Sequence, residues 1–385
     1  MKADELKEAC ESEIFDERIN PDSIVELSHA SGVQYYSVND KVAIPIEEIA
    51  MFYDRENDVD LMDSDGNEIG RLCFKRQVST NTQFTDYQLI AFARDVEFSE
   101  CATGKVNLEK DYLVLPFDMY DNYMEKYYDT APLWGYFNHQ TYYKRPYSYK
   151  IEKIIAEEKI TLPSHSDLHK ETMMRAIQQP FGFERFLKNY HMLELLFDLD
   201  LVNEIQSLGP DIKGIGRIMQ EYSKKGEIHR LEKVITNRCA NVENLASALN
   251  GVKEYTNLAK EIFFEYGKDS NPIKESKTQT AIEVFDTILT RDNPFLHENI
   301  QICVKNTSDI EKYKNFIIKI STYWIYRIRC SIAHYKIGEY LMSYEDEEFI
   351  VKFAEPLLKQ IILETFRESE LAQIEQEVST TVVAN

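Results

Sequence analysis

From about residue 25 to 116, apolar and polar positions alternate in short runs (GVQYYSV, KVAIPI, VDLM, IGRLCFK, YQLIAFA and DYLVLPF) separated by turns rich in Asn, Asp and Gly. Alternation with period two sends successive side chains to opposite faces, so these runs predict β-strands. Asp63-Ser64-Asp65-Gly66-Asn67 falls between two of them and predicts a hairpin loop. Its glycine follows Asp63 by three positions, whereas a calcium-binding EF-hand loop needs glycine at its sixth position. Past about residue 165 the apolar period changes to three or four. It predicts helices over 167–178, 181–205, 212–224, 227–239, 242–266, 278–291, 309–340 and 348–367. Pro163 and the SHSD that follows read as a linker and helix start. Residues 368–385 lack an apolar stripe and predict a disordered tail. The expected fold class is an α+β N-terminal domain over 1–160, followed by an all-helical bundle over 165–367.

A length of 385 residues supports two cores rather than one. No apolar run approaches the roughly 20 residues of a membrane-spanning helix. The start, MKADELKEACESE, is too acidic for a signal peptide, so neither membrane insertion nor export is expected. Cys10, Cys73, Cys101, Cys239, Cys303 and Cys330 lie far apart with no CxxC pair, which disfavours a disulfide framework or zinc site and fits a cytoplasmic location. A net charge of -22 repels polyanions at long range, so an RNA-directed role needs a local basic site. There is no GxxxxGK[ST], and Gly214-Ile-Gly216-Arg-Ile-Met219 lacks both the third glycine and a preceding strand. ATP and NAD chemistry are therefore not expected, and no cofactor is called for. Ten of the 24 tyrosines crowd residues 111–149, beside Trp134, Lys144, Arg145 and Lys150. Such a segment can stack bases, but a tyrosine-rich stretch more often packs its own domain or an interface.

The segment IEKYKNFIIKISTYWIYRIRCSIAHYKIGEY, residues 310–340, carries the most chemistry. Phe316, Ile317, Ile320, Tyr323, Trp324 and Ile328 make a core face, and Arg327, Arg329 and His334 follow within eight residues. Across 301–340 seven basic residues, Lys336 among them, oppose three acidic ones, reversing the sign of the chain. A guanidinium binds phosphate oxygens bidentately and stabilises charge that builds on them. An imidazole can take a 2'-hydroxyl proton near neutral pH, and neighbouring arginines should favour its neutral form. Continuous helix would put Arg329 and His334 about 140° apart around the axis. Either the helix is distorted near Ser331, or a second subunit completes the site across a two-fold axis, the option favoured here. Glu194 falls on the apolar stripe of the 181–205 helix, where it either reaches water at the edge or meets an arginine from another helix.

Arg329-Cys330-Ser331-Ile332-Ala333-His334 resembles the R-x4-6-H signature of the HEPN superfamily, all-helical domains that include metal-independent endoribonucleases of bacterial toxin and antiviral defence systems. The run FERFLKNYHMLELLF, residues 183–197, is similar to an earlier HEPN helix in which aromatics lead into a glutamate. The resemblance covers roughly 165–367. It implies Arg329 and His334 as catalytic residues, Arg327 adding charge, and Glu194, Ser331 and Lys336 in support. It further implies RNA cleavage between two protomers of a homodimer, a 2',3'-cyclic phosphate product, no metal, and a regulatory or antitoxin protein as a further partner. The sequence departs from many members at Cys330, where they carry Asn, Asp or His. The alternative is an inactive HEPN-like module for dimerisation and partner binding.

Other constellations are weaker. His165 and His169 have a metal-compatible i,i+4 spacing, yet a Ser- and Asp-rich helix start explains the segment. Asn138-His139-Gln140-Thr141 resembles half of an HxT phosphoesterase pair, with no second half.

Overall fold

A computed structural model describes residues 3–10, 15, 18–28, 34–78, 80, 83–97, 107–140, 146–147, 154, 156–157, 160–162, 167–224, 226–239, 241–267, 271–275, 278–334 and 337–367. The expected linker at Pro163, His165, Lys336 and the tail from 368 lie outside the described residues. The chain forms two compact units, Met1–Tyr143 and Lys144–Asn385.

The N-terminal unit begins with helix α1 (Ala3–Cys10) and is built on six strands: β1 (Val25–Ser28), β2 (Gln34–Val38), β3 (Lys41–Ile46), β4 (Val59–Met62), β5 (Glu68–Cys73) and β6 (Asp111–Pro116). They form one antiparallel sheet in the order β1-β2-β3-β6-β5-β4. Strict alternation divides the core in two. Tyr36, Val38, Ala43, Tyr112 and Val114 point into one apolar layer, and Tyr35, Val42, Ile44, Leu113 and Leu115 into the other. A Cβ on Gly70 would stand 2.6 Å from the carbonyl oxygen of Val114, so only glycine lets β5 lie this close to β6.

YQLIAFA, expected as a strand, is instead helix α2 (Asp86–Asp95). A capping box decides it: Thr85 accepts from the Gln88 N–H and the Gln88 side chain accepts from the Thr85 N–H. The helix then buries Leu89, Ile90, Phe92 and Ala93 against the first layer. The Asp63–Asn67 loop closes as a hairpin turn, with Gly66 at φ +83°. Asp63 Oδ1 accepts from the N–H groups of Asp65 and Asn67, and Oδ2 from the Asn67 amide, so its oxygens serve the turn.

Helix α3 (Tyr120–Lys126) lies in the second layer, which buries Tyr120, Tyr123 and Tyr128, so this part of the tyrosine-rich stretch packs its own unit. His139 sits there too, 5% exposed, stacked 5.0 Å from the Tyr128 ring and edge-on to Phe137. A carbonyl only accepts, so His139 Nδ1–H donates to the Pro45 oxygen at 2.8 Å and Nε2 accepts from the Tyr123 hydroxyl at 2.7 Å. Burial drives its pKa down to about 4. This is a neutral core histidine, and the phosphoesterase-like reading of 138–141 has no open imidazole to use.

The second unit is helical. Its principal helices are α4 (Asp167–Ile177), α5 (Gly182–Ser207), α6 (Ile212–Lys224), α7 (Glu227–Arg238), α8 (Val242–Leu249), α9 (Ala281–Leu289), α10 (His297–Cys303), α11 (Ile310–Ala333) and α12 (Glu355–Phe366). The expected 242–266 helix is broken into α8, a 3-10 stretch Asn250–Tyr255, a short α-turn and a π-turn Glu261–Glu265. Asn250-Gly251 is the weak point, since Gly251 favours leaving the helix. At seven residues, α10 is too short for periodicity to reveal. α11 is apolar on nearly every side, with Phe316, Ile317, Ile320, Tyr323, Trp324, Ile325 and Ile328 buried, and is the central strut of the bundle.

The expected boundary near residue 160 shifts to Tyr143/Lys144. Buried Glu347 explains part of this: one of its oxygens caps α5 at the Gly182 N–H, and the other accepts from the Tyr147 N–H, tying that stretch to the helical unit. Ile160 also bridges Arg367. His169 is buried against the edge of Phe366, and burial lowers its pKa. Among the described residues no helix is long and apolar enough to cross a membrane.

Candidate functional site

Asp309 starts α11 by accepting from the N–H groups of Glu311 and Lys312. The helix runs 24 residues and stops at Ala333. His334 is its C-cap, with φ -124° and ψ 100°, and its N–H still bonds the Cys330 carbonyl at 3.0 Å. This corrects the expected helix to residue 340 and removes the geometric reason for a second subunit. Leaving helical conformation swings the imidazole back along the last turn, where Nε2 lies 2.9 Å from Arg329 Nη1 within one chain.

Three more side chains from two other helices meet Arg329. Glu194 of α5 places Oε1 3.4 Å from Nη2, and Glu227, the first residue of α7, places Oε1 3.5 Å from Nε. Tyr190 of α5 lies beneath the guanidinium, 5.9 Å from ring centroid to Cζ, and donates its hydroxyl to Glu227 at 2.8 Å. His191 approaches the other oxygen of Glu194 at 3.6 Å. Burial works against the Arg329 charge, but Glu227 and Glu194 outweigh it and hold its pKa above the ordinary value. Burial, reinforced by Glu227, pushes the Tyr190 phenol far above its usual range, so it stays a donor.

Arg327 belongs elsewhere. It is 1% exposed, and its Nη2 donates to Glu339 and to the Tyr266 carbonyl in the interior. The expectation that it adds charge at a bound phosphate is therefore corrected. Two residues along a helix means about 200° of rotation, and Arg329 alone faces the half-open side. Ser331 is buried, with its hydroxyl returned to the Arg327 carbonyl at 3.0 Å, and packs rather than binds. Cys330 also points inward, and burial raises its thiol pKa.

The positive surplus read from residues 301–340 does not collect around His334. Glu339 neutralises Arg327, while two carboxylates face Arg329. Sequence reasoning missed Tyr190, His191 and Glu227. The first two share the stripe of Glu194 at helical spacing and were within reach. Glu227 comes from a separate helix and left no signal. Comparison with protein-family models, with curated proteins and with solved structures finds no match for this chain.

Proposed function

We propose that the helical unit is HEPN-like and that Arg329 and His334 form the centre of a metal-independent endoribonuclease. The 2.9 Å contact between them carries this reading. Arginine has donors only, so in this contact Nε2 accepts and presents its lone pair. That lone pair is what a general base requires. A phosphate that engages Nη1 withdraws this donor from Nε2 and leaves the lone pair for the ribose 2'-hydroxyl. The deprotonated 2'-oxygen attacks phosphorus, the 5'-oxygen leaves, and a 2',3'-cyclic phosphate remains. Glu194 keeps the guanidinium oriented. His191, at the other oxygen of Glu194, supplies a second imidazole to protonate the leaving oxygen. A homodimer, with two such pairs across one cleft, and a role in toxin or antiviral defence belong to the same reading.

The two carboxylates on Arg329 favour a second reading, an inactive bundle serving dimerisation and partner binding. They satisfy the guanidinium without substrate and set a phosphate in competition with them. Incubation of the protein with RNA in excess chelator separates the two. The first reading expects fragments ending in 2',3'-cyclic phosphate. Cleavage that needs added magnesium, or intact RNA under every condition, overturns it.

A further inference from the structure

The displaced positive charge has its own location. A cleft of about 1110 Å3 opens in the helical unit between α7, the 271–275 segment, the chain after α10 and one face of α11. Lys312 and Lys319 stand two turns apart on that face, about 10 Å along the axis, and Lys305 and Lys274 stand on the loops opposite. Glu232 and Glu275 are the acidic lining residues, and Glu232 lies 3.9 Å from Lys319. Among the described lining residues four ammonium groups, Lys274 with a partner of its own, face two carboxylates, a local excess of positive charge in a chain of net charge -22. Among the described residues no carboxylate pairs with the ammonium of Lys305 or Lys312. The floor is apolar, with Ile273, Val284 and Phe316 almost fully buried, and Asn271, Asn306 and Asn315 add amides at the rim.

An adjoining cleft of about 530 Å3 shares Glu232 and Lys319 but adds Asp200, Glu204 and Glu221 against Arg230 and Lys233, so its balance is acidic. The contrast shows that concavity alone does not bring cations together on this unit. An apolar floor under a cationic, amide-bearing rim offers one ligand both an apolar contact and anion binding.

We propose that the cationic cleft binds a nucleoside phosphate, its phosphates on Lys305, Lys312 and Lys319 and its base over the Phe316 floor. The site is distinct from the Arg329–His334 pair and does not depend on its function. The nucleoside phosphate is either a free nucleotide or part of a strand, and calorimetric titration of the intact protein with ATP, with an eight-nucleotide single-stranded RNA and with pyrophosphate distinguishes them. The Lys312→Glu/Lys319→Glu variant is expected to weaken nucleotide binding at least tenfold. Lys213→Glu on α6, the same kind of charge change away from the cleft, should leave binding intact. Retained thermal melting shows that the variants fold, and raising salt should weaken binding. ATP binding lost in the double variant assigns a free nucleotide; RNA binding alone, lost in the same way, assigns a strand. No binding of either, equal loss in both variants, or pyrophosphate binding as tightly as ATP overturns the proposal.

Discussion

Arg327→Ala is expected to destabilise the helical unit by about 3–5 kcal/mol, whereas Arg329→Ala two positions later should cost only about 1 kcal/mol. The difference is one of burial. Arg327 and Glu339 are 1% and 6% exposed, and removing the guanidinium leaves a carboxylate in the interior without its cation. Arg329 is half-buried among carboxylates that water reaches, so screening keeps its contribution small. Denaturant unfolding followed through Trp324, buried on the same helix, measures both. A joint Arg327→Met/Glu339→Leu replacement should recover much of the loss, because apolar side chains of similar volume avoid the desolvation of two charges. A cost below about 1 kcal/mol for Arg327→Ala would contradict its structural assignment.

Acid should weaken the N-terminal unit through His139. Its folded pKa of about 4 lies below the ordinary 6.5, so between these values the unfolded chain binds a proton that the folded chain refuses. Stability from this group is fully present above pH 6.5 and is lost as pH falls toward 4, by about 3 kcal/mol in all. Unfolding followed by Trp134 emission should show that slope in the native protein. His139→Asn, which lacks a titrating ring, should be less stable at pH 7.5 yet flatter across the window. Equal slopes in the two proteins would remove His139 as the acid-sensitive group.

Much of the architecture was legible because period is set by side-chain geometry. Strand alternation located β2 to β6 of the main sheet and missed β1 at Val25–Ser28, and the three-to-four spacing located α4 to α7 within two residues at either end. YQLIAFA misled because a short apolar run fits either element, and the capping box that settles it begins outside the run, at Thr85. The end of α11 was hidden for a related reason. Nothing apolar marks Ala333 as its last residue, and the turn at His334 brings the imidazole onto Arg329. Spacing on an ideal helix argued against the one contact that matters, and a sum of charges along the chain assigned to His334 cations that folding places in a separate cleft. Partners from distant helices, Glu227 above all, leave no mark in local sequence.

The proposed ribonuclease requires Arg329 and His334 to act as a working chemical unit and not as a packing contact. The most direct test compares His334→Ala with the native protein in two quantities at once: the rate of RNA cleavage in chelator and the free energy of unfolding. The expected result is a rate reduced at least 100-fold, as for loss of a general base, with stability changed by less than about 1 kcal/mol. An unchanged rate, or a loss of stability large enough to account for lost cleavage, would contradict it.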